Sequence, residues 1–419
     1  MPSDALVVGG GIGGLIAARR LALEGLSVTL FERSGALGGQ VARQRVAGAD
    51  LDAAAESFAT RGGEVAALLH ELGLADDIVT PRPSPAWLHR TDGTAVPLPA
   101  TGVMGIPGDP LASDVIRAIG RRGAWRARLD AVLPKSRGAD AASLGELVRL
   151  RMGRAVADGL VAPVVRGVHS TEVDALPVER AHPRLRAELR EQGSLAAAVR
   201  ALRAAAPAGS QVAGIRGGMF RLVDALAADC ARLGVEIELG ADVTATDPDG
   251  ITVGGHRRKG LVVRASSAPG TLQGRKVTLV TLVVDAPELD AAPRGTGVLV
   301  APGAPGVRAR ALTHLTAKWS WVAETLPGYQ AVRLSYDGVP DDAIAVATAD
   351  AGILLETRLE RVIDATQRTW VRGSAAVDPP PGSDGEHAAG TGLAMVVPHA
   401  ERVARERAAT WIRADRSQG

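Results

Sequence analysis

The sequence predicts an α/β protein, and three observations carry that prediction. A short apolar run, Leu6-Val7-Val8, stops at Gly9-Gly10-Gly11-Ile12-Gly13-Gly14, after which apolar residues recur at helical spacing from Leu15 to Leu23. A second run, Ser27 to Phe31, ends in Glu32. Far downstream, Gly390-Thr391-Gly392 opens another apolar helix start, Leu393 to Val397. Strand, glycine turn, helix and strand in this order predict a Rossmann-like dinucleotide-binding domain. The rest of the pattern adds a mixed-sheet substrate domain and a helical insertion.

The first turn carries the chemistry. Glycines at 9, 11 and 14 let backbone N–H groups approach a pyrophosphate, which then sits at the positive end of the following helix. Glu32 follows Gly11 at the roughly 20-residue offset of a carboxylate that binds a ribose hydroxyl, and its charge would repel a 2′-phosphate, so NADP is not expected. Gly38-Gly39-Gln40 comes soon after. A second glycine pair lets more backbone reach a longer dinucleotide, which favours FAD over a nicotinamide cofactor.

Val41 to Val46 reads as a strand, and Val65 to Leu72 as an amphipathic helix closed by Gly73. Trp87-Leu88-His89-Arg90 and Ala95-Val96-Pro97-Leu98-Pro99 alternate across Asp92-Gly93 and read as a hairpin leaving the nucleotide domain. From Asp109 to Ala206 the pattern is helical, with breaks at Pro134, Pro163, Pro177 and Pro183. Gly217-Gly218-Met219-Phe220 opens a helix through Leu222 to Leu233, which leads into a strand, Val235 to Leu239, and a hairpin up to Val263. Thr278 to Val284, Thr296 to Ala301 and Ala331 to Tyr336 read as strands of a second sheet shared with the early hairpin. Ala351 to Ala365 reads as helical and Pro379-Pro380-Pro381-Gly382-Ser383 as a loop; Ala400 to Ile412 continues the last helix past Pro398. The boundaries expected are 1–78, 208–272 and 384–415 for the dinucleotide domain, 79–108 and 273–370 for the substrate domain, 109–207 for the helical insertion, and 371–383 for the proline-rich loop.

Composition narrows the function. At 419 residues, 46% hydrophobic and 22% charged, the chain is long enough for two or three lobes with cores of their own. A net charge of +2 offers no field for nucleic acid. Cys230 is the only cysteine, which excludes an internal disulfide and a cysteine metal site, and it falls in an apolar helical pattern that reads as core. The eight histidines lack HxH or HxxxH spacing, so no metal is expected. No uncharged apolar run reaches the roughly 20 residues that cross a bilayer. The first strand begins almost at Met1, leaving no room for a targeting peptide, and a cytoplasmic protein is expected. Arg117, Arg121, Arg122, Arg126 and Arg128 read as a solvated helix face, with peripheral membrane or partner contact the alternative.

Read together, these pieces resemble the FAD-dependent protoporphyrinogen/coproporphyrinogen oxidase family, within the flavin amine-oxidase superfamily. The glycine turn, Glu32-Arg33 and Gly38-Gly39 are common to the superfamily. More specific are Ala55-Glu56-Ser57-Phe58, Leu98-Pro99, Gly167-Val168-His169-Ser170, Arg216-Gly217-Gly218-Met219, Ala317-Lys318-Trp319 and Gly390-Thr391-Gly392-Leu393-Ala394, in the family's order and over nearly the whole chain. Ala54 departs from the family's usual glycine and Gln40 from its frequent lysine or arginine. Between Trp370 and Gly385 the apolar strand that precedes the last glycine turn in the family is missing, so either the sheet loses an edge or the turn is displaced.

The resemblance implies FAD stretched along Gly9, Gly10, Gly11, Ile12, Gly13, Gly14, Glu32, Arg33, Gly38, Gly39, Gln40, Ala54, Ala55, Glu56, Ser57 and Trp370. Val243 would lie near the adenine, and Gly390, Gly392, Leu393, Ala394 and Met395 near the flavin ring. It further implies oxidation of a porphyrinogen in heme biosynthesis, coproporphyrinogen III or protoporphyrinogen IX, with dioxygen as acceptor and hydrogen peroxide as product. Flavin carries the redox step, and no catalytic base stands out. Propionates call for cationic partners, and His89, Arg90 and Lys318 lie on segments suited to supply them. An amine oxidase or carotenoid desaturase on the same scaffold, and a non-catalytic flavin-binding protein, remain the rival readings.

Overall fold

The computed structural model describes residues 3–169, 171–205, 212–266, 274–373 and 383–416. The chain forms two compact units: Met1–Pro81 with Ser210–Lys276 and Trp370–Gly419, and Arg82–Gly209 with Val277–Thr369. Ser170, the end of the helical stretch at Ala206 and most of the proline-rich loop, 374–382, lie outside the described residues.

The first unit is built on β1 (Ala5–Val8), α1 (Ile12–Leu23), β2 (Val28–Glu32), α2 (Phe220–Arg232), β3 (Glu236–Leu239), β4 (Leu261–Arg264) and α3 (Leu393–Arg416). The strands form one parallel sheet in the order β3-β2-β1-β4. Central β1 is buried along its whole length, because both faces are covered. Ala5, Val7, Val28, Leu30, Leu261 and Val263 share a core with Leu15 and Ile16 of α1, Leu226 and Cys230 of α2, and Val397 and Ala400 of α3. Leu6, Val8, Phe31 and Val262 pack the other face against Val243, Ile251 and Val253.

That second layer corrects the hairpin expected up to Val263. Val243–Asp247, Gly250–Val253 and His256–Lys259 make a three-stranded antiparallel meander, after which β4 rejoins the parallel sheet beside β1. Burial explains the split: His256–Lys259 is exposed throughout, whereas Leu261, Val262 and Val263 are buried in succession, which only a strand covered on both faces allows.

The second unit carries a seven-stranded sheet in the order Val362–Gly373, Gly274–Val284, Gln330–Asp337, Ala311–His314, Gly297–Val300, Trp87–His89 and Ala95–Pro97. The early hairpin forms with Leu88 opposite Val96 and joins the sheet through parallel pairing of Trp87–His89 with Gly297–Val300. One face buries Val280, Leu282, Val298, Val332, Leu334 and Tyr336 against helix Ala343–Leu355. The helix expected over Ala351–Ala365 therefore ends early. Glu356 takes a left-handed φ of 52°, charged residues follow, and the β-branched segment from Val362 becomes an outer strand.

The helical stretch contains Ser113–Arg128, Leu144–Met152, Ala162–His169, Val178–Ala181, Leu185–Gln192 and Leu195–Ala204. Gly120 interrupts the first of these at φ 74°. Pro163 does not break its helix: a π-helical turn, Ala157–Val161, runs directly into Ala162–His169 and rearranges the carbonyls that the proline ring would crowd. Arg151 is fully buried and binds Asp130 at 2.5 Å and the carbonyls of Pro134, Arg137 and Gly193, which ties the loops together. Of the expected basic face, Arg126 is instead half-buried and donates to the carbonyls of Leu150 and Arg151, where it caps Leu144–Met152.

Candidate functional site

The glycines of the first turn serve different purposes. Gly9 holds a φ of 108°. A side chain at Gly14 would overlap the carbonyl oxygen of Gly9, and one at Gly13 would stand 3.0 Å from Gly385 Cα, so both permit close packing within the protein. An added Cβ at Gly11 meets nothing within 4 Å. Gly11 is the N-cap of α1 and offers no side-chain cap, so the free N–H groups of the first helical turn border open space. A diphosphate fits there, at the positive end of the helix.

The carboxylate of Glu32 fastens this turn. Its Oε2 accepts from Gly10 N–H at 2.6 Å, and its Oε1 accepts from the backbone N–H of Ser34 at 2.8 Å and the Ser34 hydroxyl at 2.7 Å. A carboxylate has about four lone-pair sites, so acceptor capacity remains for a ribose hydroxyl. Gly38 N–H donates to Gly10 O at 2.8 Å, and an added Cβ at Gly39 would lie 3.6 Å from Gly11 Cα, which brings the second glycine pair against the first. Ala55 N–H donates to Gln40 O, so the half-buried Ala54, Ala55, Glu56 and Ser57 line up beside it. Ala241 N–H donates to Glu32 O, and buried Val243 follows two residues later. Arg33 is exposed, and Trp370 is half-buried near the end of strand Val362–Gly373.

The last glycine turn is held at the sheet edge. Ser383 pairs in parallel with Arg264 at the end of β4, and Asp384 N–H donates to Arg264 O at 2.7 Å. That pairing stands where the sequence lacked an apolar strand, and it seats Gly385 against Gly13. Gly390 and Gly392 have φ of 93° and 96° with open space at both Cβ positions; then α3 begins with Leu393 buried, Ala394 half-buried and Met395 exposed.

Two residues at these turns escaped sequence reasoning. Buried Asp52 accepts the N–H of Phe220 at 3.1 Å and so caps the start of α2 from a distant part of the chain. Asp384 is fully buried beside α1, and burial pushes its carboxyl up to about 7, which the Gly385 N–H and the Arg402 charge only partly oppose. No spacing rule flags either residue, since both roles depend on long-range burial.

In the second unit, His89 and Arg90 lie on the early hairpin and Lys318 ends helix Leu315–Lys318. Burial and the Arg294 charge hold His89 below the ordinary histidine range, and its Nε2 is buried without a partner among the described residues. Arg90 is engaged inside its own turn, 3.0 Å from Asp92. The Lys318 ammonium stands 5.4 Å from the Trp319 ring centroid. Sequence reasoning overlooked buried His314, whose Nε2 is 2.9 Å from Gln330 Oε1 and which burial also holds below the ordinary histidine range.

A parallel sheet with its glycine turn, a carboxylate at the end of the second strand and an open helix N-terminus defines a dinucleotide-binding fold. Residues 12–270 match the family of flavin containing amine oxidoreductases, to which this chain belongs; it is a flavoprotein with FAD as its cofactor. Among its relatives, the chain is 32% identical to coproporphyrinogen III oxidase of Mycobacterium leprae (strain TN) over 374 residues, 82% of this chain and 79% of that protein. It is 27% identical to coproporphyrinogen III oxidase of Staphylococcus aureus (strain NCTC 8325 / PS 47) over 256 residues, a match that spans about half, 54%, of that protein. A protoporphyrinogen oxidase candidate from Exiguobacterium sp. 255-15, known from its crystal structure, shares the fold at a TM-score of 0.82 and 22% identity, covering 97% of this chain and 98% of that one.

Proposed function

We propose that this chain oxidises a porphyrinogen in heme synthesis, with coproporphyrinogen III as substrate, coproporphyrin III as product and dioxygen as electron acceptor. The observation that carries the reading is the 32% identity to the Mycobacterium leprae enzyme across 82% of this chain, far more than the nucleotide-binding segments alone. Protoporphyrinogen IX is the second reading, favoured by 29% identity to protoporphyrinogen oxidase 2 of Arabidopsis thaliana over 43% of the chain.

In this reading Gly9, Gly10, Gly11, Ile12, Gly13 and Gly14 receive the diphosphate on the first turn of α1, and Glu32 accepts a ribose hydroxyl. Arg33, Gly38, Gly39, Gln40, Ala54, Ala55, Glu56 and Ser57 follow the cofactor, Val243 borders the adenine, and Trp370 belongs to the same set. Gly390, Gly392, Leu393, Ala394 and Met395 present N–H groups and the positive end of α3 to the flavin ring, where negative charge gathers on reduction. FAD, held by these residues, would supply the hydride-acceptor chemistry and a route for the electron pair to dioxygen, so that three rounds would convert one porphyrinogen and three dioxygen into one porphyrin and three hydrogen peroxide. His89, Arg90 and Lys318 are the residues assigned to the substrate, and the proton leaves to solvent or through the substrate itself. Among the described residues no helix is long and apolar enough to cross a membrane, in keeping with a reaction in the cytoplasm.

The test is anaerobic mixing of the holoprotein with each porphyrinogen in turn. Bleaching of the flavin band, followed by porphyrin fluorescence and peroxide on admitting air, is the expected result. Porphyrin formation no faster than spontaneous oxidation, with FAD bound and oxygen present, would overturn the assignment.

A further inference from the structure

Asp384 is 0% exposed, its Oδ2 has no hydrogen-bond partner among the described residues, and that oxygen lies 3.2 Å from the Cβ position of Gly13 in the first turn of α1. Among the described residues its Oδ1 accepts only the adjoining Gly385 N–H, at 2.6 Å. The unpartnered oxygen therefore lies against the first turn of α1, two residues along the chain from Gly11, whose own Cβ position is open. A carboxylate and a diphosphate compete for one positive pole, and two anions in a dry site repel. We propose that Asp384 belongs to the dinucleotide site and that its carboxyl takes up one proton from solvent when the FAD diphosphate settles on α1, releasing it when FAD leaves.

The inference rests on the placement of the diphosphate proposed above. The charges around Asp384 leave room for the proton to matter. Among the described residues, Arg402 of α3 is the charge that acts on the carboxyl, and it is shared with Glu406 at 3.0 Å and with His399 Nδ1 at 3.2 Å. Arg264 at the end of β4 donates to the Ser383 hydroxyl at 3.2 Å, and His399 Nε2 is 3.2 Å from Ser383 O. The first turn of α1 contributes no acidic residue. Burial poises the carboxyl to titrate near neutral pH, at about 7, so the ligand can tip it.

The experiment measures FAD retained by the full-length holoprotein after serial dilution between pH 6 and 8.5, read as recovery of free-flavin fluorescence. Linkage of one proton to binding predicts a dissociation constant about tenfold higher at pH 8 than at pH 6. Asp384→Asn should flatten this profile, with Asp384→Ala as a second variant should the amide disturb folding, and His399→Gln should leave it as in the wild type. A flat wild-type profile overturns the proposal whether or not the variants fold, as does an unchanged slope in Asp384→Asn or a slope lost in His399→Gln. FAD held with a flat profile leaves the diphosphate placement standing, whereas full FAD retention by Gly11→Val overturns that placement and the proposal with it.

Discussion

Two glycines of the first turn, Gly11 and Gly14, should fail in opposite ways when substituted. Gly14→Ala drives a Cβ into the carbonyl of Gly9, so the sheet and α1 must separate; overpacking of this kind costs about 3 kcal/mol or more, and the melting temperature should drop even without cofactor. Gly11→Val fills space that the protein itself leaves open. It should fold with a near-normal melting temperature in the apo form yet lose FAD, judged by the flavin absorbance of the purified protein. A Gly11→Val variant that retains full FAD would show that the diphosphate lies elsewhere. Asp384 makes a pH-dependent contribution to stability. Its folded value, about 7, stands above the ordinary carboxyl value of about 3.9. Stability from the buried neutral acid is therefore fully present below about pH 4 and is lost as the pH rises through 7. Asp384→Asn should match the wild type near pH 4 and melt at a higher temperature at pH 8, and equal melting temperatures at pH 8 would refute this.

At the scale of elements, α3 carries its own irregularity. Pro398 lies inside Leu393–Arg416, where it removes one i→i−4 bond and leaves the Ala394 carbonyl without its usual donor, beside the last glycine turn. Pro398→Ala should restore that bond. The interior proline costs roughly 3 kcal/mol, partly offset by the stiffness it gives the unfolded chain, so a net gain of about 1–2 kcal/mol in denaturant unfolding is expected; an unchanged midpoint would mean that a neighbouring group already compensates. Local signals wrote most elements plainly: α1 after its glycines, the hairpin around Asp92-Gly93, and the helix that Gly73 closes. Ala311–His314 and Val362–Gly373 were not legible, because both owe their strand state to neighbours far away in sequence, as in the pairing of Thr313 with Arg333. The π-turn before Pro163 escaped for the related reason that proline announces a disturbance but not how the surrounding helices absorb it.

Over the whole molecule, net charge is nearly zero, so any preference between porphyrinogens must come from local cations. Several candidates already have partners: Arg310 and Arg166 share Asp337, and Arg294 pairs with Glu356 while it covers Trp87. Exposed contacts contribute only about 0–1 kcal/mol each, so four propionates should gain modestly over two. The ratio of kcat/KM for coproporphyrinogen over protoporphyrinogen should exceed one and fall as salt is added; a ratio below one, or one indifferent to salt, removes the electrostatic basis for the choice. The sequence by itself determined the dinucleotide fold, the glycine turns, the acid that ends the second strand at Glu32 and the kinship with porphyrinogen oxidases, because these depend on residue types at short, fixed spacings. Tertiary structure alone decided that Gly11 faces open space while Gly13 and Gly14 face backbone, that Asp52 caps α2, and that Asp384 is a buried acid at the start of α1. The close turn that sets Gly14 against Gly9, the approach of Gly385 to Gly13, the cap from Asp52 and the desolvation of Asp384 are all set by the folded chain, the last three by segments far apart in sequence, and residue types alone do not encode them.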